Sequence, residues 1–305
     1  MRILAYVFVC FLLISLSAAG QQKSLYSQYM FNGLAINPAY AGTHDVLNLT
    51  ALGRRQWLGM EGAPSTGTFS AHSPLKNEKV SLGVMMYGDK IGIFNHYSFN
   101  AIYAYKIKIT EKSKLSFGLQ AGVNNYVAKY SELTAKDAND PSLSRDDISG
   151  VAPSFGAGVY YYSDRFYAGL SVPYLVNNIF RDRFIENNFK PDRNYFFTSG
   201  AVFDLSEDVK VKASILVKMS SGVPLQADFN TNFLFKEVLW LGASLRNLNA
   251  LNFLVQANIS EQLRMGYNYE FGLNKLSTVN SGSHEFMLNY LFSFNKTKVV
   301  TPRYF

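Results

Sequence analysis

Side chains able to do chemistry are scattered along these 305 residues rather than gathered. The histidines are His44, His72, His96 and His284. A metal site needs imidazoles or carboxylates brought together, usually by a close pair on one element. No two of these histidines make such a pair, and each lies at the edge of an alternating segment. They read as surface or interfacial residues. No Gly-x-Ser-x-Gly elbow presents a serine as a nucleophile. No phosphate-binding loop occurs, and Gly33 and Gly42 lack the setting of a dinucleotide site. Glu132, Asp137, Asp140, Asp146 and Asp147 crowd one stretch, but their spacing differs from a calcium-binding loop and they read as solvated. The expectation is a chain without a metal, a cofactor or an enzyme's constellation.

What remains must be positioned by larger elements. Residues 1–20 have a basic start at Arg2, an apolar core from Ile3 to Leu16 and the small-residue end Ser17-Ala-Ala-Gly20. That is the pattern of a secretory signal cleaved before Gln21. The one cysteine, Cys10, lies inside this core, so the mature chain has no disulfide, thiolate site or cysteine nucleophile. Beyond residue 20 there is no run of about 18 apolar residues to make a spanning helix. Yet 15% of the chain is aromatic and the mean hydropathy is −0.02. The formal charge of +7 is diffuse, and nucleic acid is not an expected partner.

Periodicity accounts for this composition. Leu115, Phe117, Leu119, Ala121 and Val123 alternate with Ser116, Gly118, Gln120, Gly122 and Asn124. Val209, Val211, Ala213, Ile215 and Val217 alternate with a lysine-rich register, and Leu263, Met265, Tyr267 and Tyr269 with Arg264, Gly266, Asn268 and Glu270. Period two with one apolar and one polar face means strands. Fourteen such segments fall near 46–56, 64–72, 79–88, 95–109, 114–128, 151–162, 165–174, 194–204, 208–219, 224–235, 237–246, 250–259, 262–271 and 284–294. Most reach the length of about 9–11 residues that a tilted strand needs to cross a bilayer.

Alternate connections are tight, and the others are expected to be longer, notably 129–150, 175–193 and 272–283. Short turns on one side and long loops on the other mark an outer-membrane barrel, with the turns and both chain ends periplasmic. Aromatics near segment ends, including Tyr97, Phe99, Tyr103, Tyr105, Tyr160–Tyr162, Phe286, Tyr290, Phe292 and Phe294, would supply interfacial girdles. The expected architecture is an all-β transmembrane antiparallel barrel over 46–294. A plug-like periplasmic segment at 21–45 precedes it and a tail at 295–305 follows.

If apolar residues face lipid, Lys106, Lys108, Lys210, Lys212, Lys218, Arg246 and Arg264 face inward, answered in the clear strands by Asp228 and Glu270. Lys106, Lys108, Lys210, Lys212 and Arg264 fall toward the periplasmic mouth. They either pair with carboxylates of the terminal segments or form a basic mouth that receives a partner or an anion.

The stretch Tyr26-Ser-Gln-Tyr-Met-Phe-Asn-Gly-Leu-Ala-Ile-Asn-Pro-Ala-Tyr-Ala-Gly42 is a run of turns, set by Gly33, Asn37-Pro38 and Gly42. Its apolar side chains need a surface to bury against. It reads either as a plug packed on the first strands or as a docking element. Together with Leu52-Gly-Arg-Arg-Gln-Trp-Leu-Gly-Met-Glu-Gly-Ala-Pro64, Thr66–Leu75 and the ending Thr301-Pro-Arg-Tyr-Phe305, it resembles the PorP/SprF family. Members of that family are outer-membrane proteins of the type IX secretion system of Bacteroidetes. The resemblance implies export or anchoring of specific cell-surface adhesins of the gliding or attachment type. It implies as partners that secreted cargo, the periplasmic ring and peptidoglycan-binding components, and outer-membrane lipid. Residues expected to dock a partner are Tyr26, Tyr29, Phe31, Asn37, Pro38, Tyr40, Arg54, Arg55 and Trp57. The barrel alone would suggest a passive porin or small-solute channel, and a hydrolase assembled from different strands is the third class; the N-terminal motif favours the secretion reading.

Overall fold

The computed structural model describes residues 26–133, 146–175, 193–220, 223–292 and Tyr304. The expected signal at 1–20, most of the acidic stretch, residues 176–192 and the tail other than Tyr304 lie outside the described residues.

The strands are β1 (Leu47–Arg55), β2 (Ser65–Pro74), β3 (Val80–Ile91), β4 (Phe94–Thr110), β5 (Ser113–Ala128), β6 (Ile148–Ser163) and β7 (Phe166–Val172). They continue as β8 (Asn194–Asp204), β9 (Val209–Ser220), β10 (Val223–Phe235), β11 (Leu239–Arg246), β12 (Ala250–Asn258), β13 (Leu263–Gly272) and β14 (Ser283–Phe292). Each lies within three residues of its expected segment. Neighbours in sequence pair antiparallel, and β14 returns to β1, with Leu47 opposite Phe292 and Arg55 opposite His284. The sheet is a closed barrel of fourteen strands. Closure satisfies every edge hydrogen bond, which a lipid surround requires.

The alternation has the polarity of a membrane barrel. On β4, Tyr97, Phe99, Tyr103 and Tyr105 are 41–53% exposed on the outer wall, while Ser98, Asn100 and Lys106 at the alternate positions are buried in the lumen. A soluble sandwich would reverse this, because its apolar faces pack on each other. Not every inward position is polar. Leu52, Ile102, Leu216 and Met287 point inward and are buried, each in a cluster that includes residues of the N-terminal segment.

Two expectations change. Tyr160 and Tyr162 are not girdle residues; their register turns them into the lumen, where they are 4% and 5% exposed and pack near Tyr40. The contrast in connection length is also narrower than expected. At the end that carries 129–147, 173–193 and 273–282, the β3–β4 and β11–β12 connections are tight turns at 92–93 and 247–249. Asn247 and Leu248 both take positive φ there, of 49° and 56°, the twist a tight hairpin needs.

Candidate functional site

Residues 26–45 run through the lumen before β1 begins. Three short 3-10 turns, Ser27–Met30, Gly33–Ala35 and Pro38–Tyr40, fold them into a compact thread. Tyr26, Tyr29, Leu34, Ile36 and Tyr40 are all at most 5% exposed. Burying a side chain of this kind is worth about 1.5–3 kcal/mol, so the thread has a strong reason to stay.

Its first turn sits toward the long-loop end. The Ser27 N–H donates to both oxygens of Glu285, at 2.7 and 2.9 Å, and the Gln28 N–H donates to Oε2 at 3.2 Å. No side chain at Tyr26 caps this turn, so a carboxylate from β14 takes the free amides. Glu285 belongs to a buried ionic cluster. Arg54 lies 3.4 Å from Glu285 and 3.0 Å from Glu270, and Arg246 lies 2.6 Å from Glu270 and 2.9 Å from Asp228. Arg246 also donates to Ser27 Oγ at 3.0 Å. Charges this deep are tolerated because each meets an opposite one, with further hydrogen bonds from the Ser27 and Gln28 amides to Glu285 and from Arg246 to the Ser27 hydroxyl.

The middle of the thread reaches the β9–β11 wall. Asn230 donates to the Tyr29 hydroxyl at 2.8 Å, and Lys212 donates to the Met30 carbonyl at 3.0 Å. The Phe31 ring meets Trp240 edge-on, with centroids 5.6 Å apart, and Lys212 Nζ stands 4.9 Å from the Phe31 centroid.

Asn37 and Pro38 are seated on glycines. The Asn37 side chain accepts from the Ala39 N–H at 2.9 Å, starting the third turn, and donates to the Val159 carbonyl at 3.0 Å. A Cβ at Gly158 would fall 2.1 Å from Asn37 Oδ1, and one at Gly118 would fall 2.3 Å from the Pro38 carbonyl carbon. Only glycine lets the wall come this close. Tyr40 then meets Tyr160, His72 and His44 edge-on at 5.6–5.8 Å. At the short-turn end the Gly42 N–H donates to His72 Nδ1 at 2.9 Å, and the Gly42 carbonyl accepts from Lys106 at 2.8 Å. Accepting at Nδ1 fixes His72 as a neutral ring.

Of the residues expected to dock a partner, Tyr26, Tyr29, Phe31, Asn37, Pro38 and Tyr40 lie together in the lumen, and Arg54 joins them from β1. Arg55 is exposed and Trp57 half-buried at the long-loop end, apart from the thread. The five basic residues also separate. Lys106 and Lys212 are buried on carbonyls of the thread, while Lys108 is exposed and pairs with Glu111. Lys210 pairs with Glu237 and Asp204, and Arg264 is half-buried at the start of β13.

His44 and His72 are buried rather than superficial, with ring centroids 5.9 Å apart, because His44 belongs to the thread and His72 lies on the wall that the thread covers. Among the acidic stretch, Glu132 accepts from Lys129 at 2.7 Å, and that bond holds its carboxyl below the usual range. Asp147 accepts from the Ser131 N–H at 2.9 Å and is lowered by that bond. Sequence reasoning missed Glu285 and the seat glycines Gly118 and Gly158. Their only signal was a carboxylate and two missing side chains at inward positions of alternating strands.

Among solved structures, the CymD monoaromatic hydrocarbon channel is 10% identical with a TM-score of 0.52, over 90% of this chain and 95% of that one. A Pseudomonas aeruginosa FadL homologue is 10% identical with a TM-score of 0.49, over 87% of this chain and 94% of that one. The Acinetobacter baumannii outer membrane protein Omp33 is 8% identical with a TM-score of 0.47, over 82% of this chain and 100% of that one. At 10% identity the likeness to the CymD channel speaks to the fold alone. No curated protein matches the chain. The family model described as type IX secretion system membrane protein PorP/SprF matches residues 18–290. The chain therefore belongs to the PorP/SprF family of type IX secretion system membrane proteins.

Proposed function

We propose that this barrel is a holder for particular secreted adhesins in type IX secretion, working through protein–protein contact rather than as a solute channel. The observation that carries the reading is the filled lumen. A fourteen-strand barrel is wider than one of about eight strands, whose own side chains nearly fill it. Here the surplus space is taken by Tyr26–Gly42, fastened at Glu285, Lys212 and Lys106. The family membership supplies the secretion context. On this reading the short-turn end and both chain ends face the periplasm, toward the periplasmic ring and peptidoglycan-binding components, and the long loops face outward toward cargo.

Surface proteomics of wild type, a gene deletion and a strain lacking only Tyr26–Gly42 tests this. Both mutants should lose one or a few large adhesins while bulk type IX export continues, with the shortened barrel still in the outer membrane. An unchanged adhesin set, together with steady open-pore conductance of the full-length protein, would overturn the holder and leave a porin.

A further inference from the structure

Tyr304 is remote in sequence from Lys212, Glu237 and Trp240, yet it meets them at the short-turn end of the lumen. Its carbonyl accepts from Lys212 at 2.9 Å, and its hydroxyl donates to Glu237 Oε1 at 3.3 Å. Lys210 Nζ stands 5.6 Å from its ring centroid. The ring packs beside Phe31 against the buried cluster of Leu234, Trp240 and Leu254. One tyrosine is therefore recognised by an apolar floor, a carboxylate for its hydroxyl and an ammonium for its backbone.

The seat does not depend on Tyr304 to hold itself together. Lys210 also pairs with Glu237 and Asp204, Lys212 keeps the Met30 carbonyl at 3.0 Å, and Phe31 rests on Trp240. Emptying the seat leaves no buried charge without an opposite charge or a carbonyl. Tyr304 itself is only half-buried. A tethered segment occupies such a seat at an effective concentration on the order of millimolar. That fills it at rest and still allows competition from a second peptide brought to the same mouth.

We propose that this is a tyrosine-peptide binding site, filled in cis by Tyr304 and open to exchange with a tyrosine-bearing extended segment of an exported polypeptide. Lys212 holds Met30 and Tyr304 at once, so exchange is felt by the N-terminal thread. The holder reading above supplies only the source of the incoming segment; the seat is testable without cargo.

The experiment uses a fluorescent peptide copying Lys296–Phe305, titrated by anisotropy against the barrel in lipid nanodiscs. The receptors are the full-length chain, its Tyr304→Ala variant and a chain ending at Phe292. Both vacated forms should bind, and the full-length chain should bind about tenfold more weakly or worse because its own residue competes. The same peptide carrying Tyr304→Ala should lose about tenfold in affinity, the worth of one good contact. Glu237→Gln in the vacated barrel should narrow the gap between the two peptides. Equal binding by full-length and vacated forms, equal binding of the two peptides, or no binding by either vacated form would overturn the proposal. Loss of the adhesin phenotype leaves these titrations untouched, so the two readings fail separately.

Discussion

Gly118 on β5 and Ala39 in the lumen thread stand so close that a Cβ on the glycine would fall 2.1 Å from the Ala39 nitrogen. The wall of the barrel and its filling are thus fitted at the level of single atoms. The fit is made by leaving a side chain out.

Gly118→Val should therefore dislodge the third turn while the strands persist. At Gly53 and Gly67 an added Cβ meets nothing within 4 Å, so alanine there serves as the control. Single-channel recording should show long open events in Gly118→Val and none in Gly53→Ala or Gly67→Ala. A valine variant as closed as wild type would mean that the thread does not occlude the pore.

Glu270 answers two arginines at 3.0 and 2.6 Å in a buried setting. Glu270→Leu takes one carboxylate from each arginine, which keep Glu285 and Asp228, and should cost about 1.5–3 kcal/mol in urea unfolding from vesicles. Lys108→Gln removes a side chain that is 55% exposed and, among the described residues, paired with solvent-facing Glu111, and should leave the midpoint unchanged. Equal effects would mean that the buried cluster contributes nothing specific.

Topology is open to antibody. Epitope tags within residues 129–150 and 175–193 should be reached on intact cells. A tag after Ser163, in the tight β6–β7 turn, should be reached only after permeabilisation. Equal labelling at both ends would reverse or refute the orientation drawn from the sequence.

Closure predicts resistance to detergent. Protein extracted from membranes should migrate differently in gels before and after boiling, because a closed barrel of fourteen strands has no free edge from which to unravel. Identical migration of folded and boiled samples would contradict the closed ladder between β1 and β14.

Pattern by itself determined the strands, their number and which face of each meets lipid. Leu115 through Asn124 shows why: a two-residue repeat offers each side chain one of two environments, and aromatic or aliphatic types declare the lipid side. The turn-rich run from Tyr26 to Gly42 also declared that it needed a partner surface, because its apolar residues exceed what a free segment would carry.

Only the tertiary structure decided what that surface is. Asn37 meets Gly158 on β6 and Lys212 meets Met30 from β9, pairs separated by more than a hundred positions in the chain. The strand repeat fixes in or out but says nothing of height or angle around a barrel, which depend on register summed over all the ladders. Tyr160, Tyr161 and Tyr162 are alike in type, so their own run declares no in–out parity, and Tyr160 and Tyr162 proved to line the lumen against Tyr40. Glu285 went unnoticed until closure set it against Arg54 and Ser27.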